Sequence, residues 1–268
     1  MEIIIAGILL NAFIVLLSYW RRALTLDGSV AAFLIADFIL MTSGFPGWLL
    51  LIAFFISSTL LTKYRYREKR KFQLLFEKTG NRDAFQVLAN GGAAFIFSLC
   101  YYLFSREHFI VALAVSLASC NADTWATEMG VLSRGEPVSL RNLKKVDRGT
   151  SGAISLKGTF LSLLGAGFIA AIVVITFKGA ALMEKLSDLD LFLIVTAGGA
   201  FGSFLDSLMG AFLQGVYLSP EGFETERRRT PDGSENVLVR GFPFVNNDVV
   251  NFSSSLMAAL LTLVLTFF

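Results

Sequence analysis

The chain has 268 residues, of which 54% are hydrophobic and 16% charged, and its formal net charge is +2 at pH 7. An ordinary soluble domain carries about 25% charged residues, so this composition excludes a large soluble catalytic domain. The small net charge excludes a basic surface of the kind that binds nucleic acid. Cys100 and Cys120 lie in apolar segments and His108 is the single histidine, which argues against a disulfide framework and a histidine-rich metal site.

Charged residues cluster in short segments, and the apolar stretches between them are about as long as a bilayer-spanning helix, which needs about 20 residues. The pattern predicts an all-α protein in which residues 1–268 form one membrane-embedded domain, a polytopic transmembrane helix bundle of about eight spans. The short segment 107–122 is the weakest of them, but a seven-span version would break the alternation of sides. The predicted spans are 1–20, 28–43, 46–62, 85–104, 107–122, 156–177, 189–212 and 248–268.

The basic residues predict the orientation. The first apolar stretch precedes Arg21 and Arg22, the reverse of the order in a cleaved signal peptide, so we predict an uncleaved first helix and both chain termini outside. All Lys and Arg residues then lie in cytoplasmic segments or at the helix mouths beside them, except Arg106, Lys178 and Lys185. This bias follows the positive-inside rule and predicts a multi-pass protein of the cell inner membrane. The predicted cytoplasmic segments are 21–27, 63–84, 123–155 and 213–247.

Segment 63–84 is rich in basic residues. Such a pattern is typical of an amphipathic stretch that lies on the lipids of the inner leaflet. It is equally typical of a charge cluster that only sets the topology, and the sequence leaves both interpretations open.

Polar side chains near a membrane are costly, so they are candidates for function. The densest group is the run Asn121-Ala-Asp123-Thr124-Trp125-Ala-Thr127-Glu128, at the cytoplasmic end of the fifth predicted span. Its carboxylate, amide and hydroxyl oxygens suit a hard cation such as Mg²⁺. A regular helix places Asp123 and Glu128 about 140° apart, so a shared ligand requires the helix to end or break there. The alternative is a solvated helix end with an interfacial Trp125.

A second candidate element follows in the same predicted cytoplasmic segment. Lys144, Lys145 and Arg148 precede the run Gly149-Thr150-Ser151-Gly152. Glycines let backbone N–H groups approach an anion, and the N-terminus of the next helix adds a positive partial charge. The run favours a phosphate, although the Walker order of residues is absent and a plain loop with a helix cap is the alternative.

Three other predicted spans carry polar residues at helical spacing near the same side. Small residues that permit close helix packing explain the glycines of the seventh span, but they do not explain its carboxylate. Because these polar groups converge on one membrane face, they predict a single site. The candidates are Asn90 in the fourth span, Ser203, Asp206 and Ser207 in the seventh, and Asn247 and Asn251 in the last.

These motifs resemble a family of integral membrane proteins that includes plant phytyl-phosphate kinase and the eukaryotic transmembrane protein nineteen. The likeness covers nearly the whole chain, and its most specific element is the Ala-Asp-Thr-Trp-Ala-Thr-Glu run at 122–128. Asp37, midway along the second span, departs from the pattern, which leads us to expect a small or apolar residue there. The other stretches that carry the resemblance are 86–91, 149–152 with 158–159, 202–207 and 246–251.

The resemblance implies an isoprenoid-phosphate kinase. Such an enzyme converts a prenyl monophosphate lipid, for example phytyl or geranylgeranyl phosphate, to the diphosphate with a nucleoside triphosphate (CTP or ATP) and Mg²⁺. On this hypothesis Asp123, Glu128 and Asp206 are catalytic and hold the metal. A cytidylyltransferase that acts on a lipid phosphate and a transporter that uses intramembrane acids are the alternatives. The predicted substrate- and nucleotide-binding residues are Asn90, Asn121, Thr124, Lys144, Lys145, Arg148, Gly149, Thr150, Ser151, Gly152, Ser203, Ser207, Asn247 and Asn251.

Overall fold

The computed structural model describes residues 2–78, 80–133, 135–177 and 186–267. Three basic residues that were counted in predicting the orientation lie outside the described residues, namely Arg134, Lys178 and Lys185. The α-helices in these ranges are α1 (Glu2–Trp20), α2 (Leu26–Lys63), α3 (Tyr66–Lys69), α4 (Ala84–Phe104), α5 (His108–Gly130), α6 (Leu156–Thr176), α7 (Asp188–Phe212) and α8 (Asn247–Phe267), and a 3₁₀ turn covers Arg70–Phe72.

Six of the described helices are long and apolar enough to cross a membrane, namely α2, α4, α5, α6, α7 and α8, and the apolar part of α1 is the shorter Ile4–Trp20. The predicted class, an all-α polytopic membrane bundle, is therefore confirmed. The orientation of the termini stays a prediction.

Helix α2 is a helical hairpin rather than one rod. Its 38 residues would extend about 57 Å if straight, nearly twice the hydrocarbon thickness of a bilayer. Gly44 has a non-helical φ of 70° two residues before Pro46, and the chain reverses there. Lys63 Nζ donates to the backbone oxygen of Arg21 at 2.9 Å, so the end of α2 lies beside its start. The predicted spans 28–43 and 46–62 are the two legs, joined without a loop.

Hydrogen bonds between side chains hold this hairpin in the bundle. Near the tip, Ser43 Oγ lies 2.5 Å from Ser98 Oγ on α4. On the first leg, Asn11 Nδ2 of α1 donates to Asp37 Oδ1 at 2.8 Å. Such a bond between membrane helices is worth about 0.6–2 kcal/mol. Asp37, unexpected in the family pattern, thus ties α1 to α2.

Helix α5 forms the centre of the bundle. Every residue from Ile110 to Ala122 is buried, because α2, α4, α6, α7 and α8 all pack against α5. A Cβ built on Gly202 of α7 would come within 2.0 Å of Ser119 Oγ, so α5 and α7 approach more closely than larger residues allow. Segment 107–122, the weakest prediction, is the most enclosed of the candidate spans.

The strands lie in the connections and were not predicted, because they span two to four residues, too few for an alternating pattern. β1 (Val138–Ser139) pairs antiparallel with β2 (Ala153–Ile154). In the second sheet β3 (Val216–Leu218) lies between β4 (Glu224–Thr225) and β5 (Val237–Arg240), both antiparallel to it. The two sheets shape the long connections α5–α6 and α7–α8.

The hairpin predicts how three single cysteines label in a Cys100→Ser, Cys120→Ser background. Leu26→Cys and Lys63→Cys should react with an impermeant maleimide from one side of sealed vesicles, because the two ends of α2 lie together. Phe45→Cys, half exposed at the tip, should react from the other side. Permeabilised vesicles control for reactivity, and labelling of all three from one side would contradict the hairpin.

Candidate functional site

A cavity of about 670 Å³ lies where one end of the bundle meets the connecting segments. The end of α5 and the start of α6 face the end of α7 and the start of α8 across it, and the chain between α3 and α4 closes another side. The cavity therefore gathers segments that are distant in sequence. The predicted site residues that line it are Asn90, Asp123, Thr124, Glu128, Arg148, Gly149, Thr150, Ser151, Gly152, Ser203, Asp206, Ser207, Asn247 and Asn251.

Asp123 of α5 and Asp206 of α7 face the cavity from neighbouring helices, and their charges repel each other. Ser254 Oγ of α8 donates to Asp206 Oδ2 at 3.1 Å. Within the described ranges, neither carboxylate forms a salt bridge with a Lys, Arg or His side chain. Two such carboxylates fit Mg²⁺, which is commonly held in proteins by one or two carboxylates together with substrate phosphates.

Glu128 has a different environment, although it lines the same cavity. Lys69 Nζ lies 2.7 Å from Glu128 Oε2, and Thr62 Oγ1 donates to Glu128 Oε1 at 2.7 Å. Helix α5 is continuous to Gly130. Asp123 and Glu128 therefore point in different directions, as expected for two residues about 140° apart around a regular helix. In the described part of the chain no three His, Cys, Asp or Glu side chains form a group able to hold a metal. Of the predicted set, Asp123 and Asp206 thus face the cavity without an ion-pair partner in the described ranges and Glu128 has one, and the metal-binding role of the three residues stays a prediction.

The glycine run borders the cavity beside the start of α6. Gly149 has φ of 89° and Gly152 of 73°, left-handed conformations that glycine adopts without strain. A Cβ on Gly152 would come within 2.2 Å of the backbone nitrogen of Ala211, so this run packs directly on α7. Ser155 caps α6 by accepting a hydrogen bond from Gly158 N at 3.1 Å. The glycine run and the first turn of α6 border the same cavity, and a helix N-terminus favours an anion.

Three predicted binding residues do not line the cavity. Asn121 is buried, donates to Gly165 O at 2.7 Å and accepts from Ser57 Oγ at 2.8 Å, so it joins α5 to α6 and α2. Lys144 is exposed, and Lys145 is an exposed partner of Glu136 at 3.0 Å. The structure therefore places these three residues away from the cavity lining, and their role in binding stays a prediction.

Segment 63–84, predicted to interact with lipid or only to set topology, supplies cations to the cavity wall. Lys78 Nζ lies 2.9 Å from Asp83 Oδ2 and 2.6 Å from Asp248 Oδ2. Burial opposes the charged form of Lys78, but hydrogen bonds to the two aspartates outweigh it and raise the pKa of Lys78. Arg82 also lines the cavity. Sequence reasoning missed both residues because nothing in a run of basic residues shows which of them face inward.

The connection between α7 and α8 also reaches the cavity through a carboxylate that the sequence did not single out. Thr225 Oγ1 donates to Leu74 O at 2.7 Å, and Glu226 N donates to Leu75 O at 2.8 Å. These bonds hold Glu226 against the cavity. Burial raises the pKa of Glu226 to about 7, more than a hydrogen bond from the backbone of Glu77 lowers it.

The fold and the site together define a class, an integral membrane protein that is a polytopic helix bundle with an acidic, glycine-bordered cavity at one end. The chain belongs to the integral membrane protein DUF92 family, whose model matches residues 9–259. This match confirms the resemblance inferred from the motifs.

Several relatives support the same assignment. Protein PGR of Arabidopsis thaliana is 31% identical over 97% of this chain and 94% of that protein. An uncharacterized membrane protein of Methanocaldococcus jannaschii is 29% identical over 78% of this chain and 82% of its own length. Protein VTE6, chloroplastic, of Arabidopsis thaliana is 28% identical over 56% of this chain and 46% of that protein. No solved structure matches the chain significantly.

The contrast between Asp206 and Glu128 predicts opposite effects on stability in the absence of divalent metal. Asp206→Asn removes a repulsion and should leave the melting temperature unchanged or higher. Glu128→Gln leaves the buried Lys69 ammonium without a counter-ion and should cost about 3 kcal/mol. Thermal unfolding of the detergent-solubilised protein with chelator measures both. An equally large loss in Asp206→Asn would mean that Asp206 pairs with a cation in the fold.

The environment of Glu226 predicts a pH-dependent difference between the wild type and Glu226→Gln. The pKa of Glu226 is about 7 in the fold, against an ordinary value of 4.5, so the wild type loses stability as pH rises from about 4.5 to 7. Glu226→Gln should match the wild type below that window and exceed it above pH 7, by at most about 3 kcal/mol. Unfolding between pH 4 and 8 measures the difference. Exposed Glu221→Gln is the control, and a pH-independent difference would contradict the burial of Glu226.

Proposed function

We propose that this protein is a Mg²⁺-dependent kinase that phosphorylates an isoprenoid monophosphate to the diphosphate at the cytoplasmic face of the membrane. The observation that carries the proposal is the meeting, in one cavity, of two aspartates without ion-pair partners in the described ranges and a glycine run at a helix N-terminus. The cavity volume of about 670 Å³ falls within the usual range of ligand pockets, about 300–1,000 Å³.

One side of the cavity would bind the metal cation, and the other side would bind the phosphates of the donor. Asp123 and Asp206 would hold Mg²⁺, with Ser254 orienting Asp206 through its hydrogen bond. The run 149–152, the N-terminus of α6 and Arg148 would bind the donor phosphates through backbone N–H groups and a guanidinium. When bound, Mg²⁺ neutralises charge that develops on the transferred phosphoryl group. Ser203, Ser207, Asn247 and Asn251 complete the wall with neutral hydrogen-bonding groups.

The reaction needs positioning more than it needs a strong base. An oxygen of the acceptor phosphate forms a bond to the terminal phosphorus of the donor, the bond from that phosphorus to the bridging oxygen breaks, and a nucleoside diphosphate leaves. A phosphate monoester has its second pKa near 6, so the attacking oxygen is already anionic at neutral pH. Catalysis then rests on alignment and charge neutralisation, as in other phosphoryl transfers.

The motifs of the chain support this chemistry because they resemble a family that includes plant phytyl-phosphate kinase. A cytidylyltransferase would use the same metal-binding and phosphate-binding groups, so the experiment has to separate the two reactions. The transporter hypothesis is disfavoured because the polar residues gather in one cavity at one end of the bundle, and Asp37, which accepts a hydrogen bond from Asn11, does not line that cavity. We therefore retain the kinase as the proposal.

Labelled nucleotides test the reaction directly. The purified protein in detergent is offered geranylgeranyl phosphate or phytyl phosphate with each of the four nucleoside triphosphates, labelled at the α or the γ phosphorus. A kinase transfers the γ label and yields a prenyl diphosphate identified by its mass. Transfer of the α label from CTP would indicate a cytidylyltransferase, and transfer of neither label to any lipid would overturn the proposal.

Substitutions of the two aspartates test the metal assignment. Asp123→Asn and Asp206→Asn should each lower kcat by at least 10²-fold and raise the Mg²⁺ concentration needed for half-maximal rate, because each removes one carboxylate from a hard cation. Asp188→Asn, exposed at the opposite end of α7, is the matched control and should keep the wild-type rate. Near-normal activity in both cavity variants would show that the aspartates do not hold the metal.

A further inference from the structure

A second, mainly apolar crevice adjoins the polar cavity. It lies between α1, the two legs of α2 and the first turns of α4, and it measures about 50 Å³. Arg82, Gln86 and Asn90 line both the crevice and the polar cavity, so the two spaces meet at these residues. Its wall includes Asn11 of α1, Ala32 and Ala36 of the first leg of α2, and Leu51, Phe54 and Phe55 of the second leg.

Arg82 occupies the junction in a fixed position. Its backbone nitrogen donates to Ala23 O and its backbone oxygen accepts from Thr25 N, both at 3.0 Å. Its guanidinium carbon lies 5.9 Å from the ring centroids of both Phe54 and Phe55. Among the described residues no carboxylate forms a salt bridge with this guanidinium, and Glu128, which acts on it electrostatically, already pairs with Lys69. A cation partly buried against aromatic rings in this way is a strong anchor for an anion.

Charge and polarity together indicate one kind of occupant. The crevice is lined mainly by apolar residues, and its single polar residue away from the junction is Asn11. The Asn11 Nδ2 group donates to Asp37 Oδ1 and Phe33 O, while Asn11 Oδ1 has no hydrogen-bond partner among the described residues. An anionic group therefore fits at the junction and a hydrocarbon chain fits in the crevice. The crevice is narrow, so it holds part of one chain and leaves the rest in the surrounding bilayer.

We propose that this crevice binds the hydrocarbon tail of the lipid monophosphate acceptor, with Arg82 contacting the acceptor phosphate. The inference rests on the proposed function for the identity of that phosphate. The acceptor enters laterally from the lipid between α1, α2 and α4, and its phosphate reaches the polar cavity at Arg82. Leu163 and Phe204 are apolar residues of the polar cavity itself, and they mark the alternative path for the tail.

A photoreactive probe tests the path of the tail. The full chain in detergent is irradiated with geranylgeranyl phosphate that carries a diazirine on its second isoprene unit, and the labelled peptides are mapped by mass spectrometry. We expect labels within 11–15, 32–36 and 51–55, and we expect excess geranylgeranyl phosphate to compete at least five-fold better than geranylgeraniol. Competable labels at Leu163 or Phe204 instead, or no competable labels at all, would overturn the proposal.

Matched variants sharpen the test. Ala32→Phe fills the crevice and should lower crevice labelling at least five-fold. Ala31→Phe adds the same ring at a neighbouring, partly exposed residue that does not line the crevice, and it should leave labelling unchanged. Arg82→Gln should weaken competition by geranylgeranyl phosphate, and Arg82→Lys should restore part of it. If Ala32→Phe fails to fold, the label map of the wild type still decides the question.

The labelling needs no turnover, so its outcome is separate from that of the kinase assay. Crevice labels without phosphoryl transfer would retain the tail site and reject the proposed kinase. Phosphoryl transfer with labels elsewhere would retain the kinase and reject the crevice.

Discussion

The close contact between α5 and α7 determines where the polar cavity forms. Lipid tails are as apolar as the side chains of membrane helices, so the hydrophobic effect contributes little to the association of these helices. They associate instead through close packing of small residues. Gly199 and Gly202 of α7 lie against Ala118 and Ser119 of α5 with no room for side chains. One or two turns further on, the same helices carry Asp206 and Asp123, which this packing brings to a common space.

The charges around that space fall into two groups. Glu128 with Lys69, and Lys78 with Asp83 and Asp248, are ion pairs that stabilise the walls. Asp123 and Asp206 on one side and Arg82 on another form no ion pair within the described ranges. All three residues line the cavity, and on the proposed function they would meet a bound cation and a bound anion of opposite charge. The proposed metal and phosphate positions follow from this distribution.

The connecting segments contribute more to the site than their composition indicates. Segment 63–84 looks like a surface charge cluster, yet Lys69, Lys78 and Arg82 line the cavity. Residues 224–227 are held against residues 73–77 by backbone and side-chain hydrogen bonds, which brings Glu226 inward. These contacts join residues about 150 positions apart in the chain, and local patterns carry no information about them.

Hydropathy and charge in the sequence alone determined the all-α membrane class and the apolar segments, and most of the site residues predicted from the sequence line the cavity. A bilayer demands long apolar helices and makes each polar group conspicuous. Only the tertiary structure decided which of those polar groups act together. In the structure Asn121 forms hydrogen bonds between helices, and Glu128 forms an ion pair with Lys69. Lys144 and Lys145 are exposed, and Arg82 lines the cavity. The physical reason is that the packing of the helices and the conformation of the connections determine which side chains meet. A single sequence shows neither the packing nor the conformation.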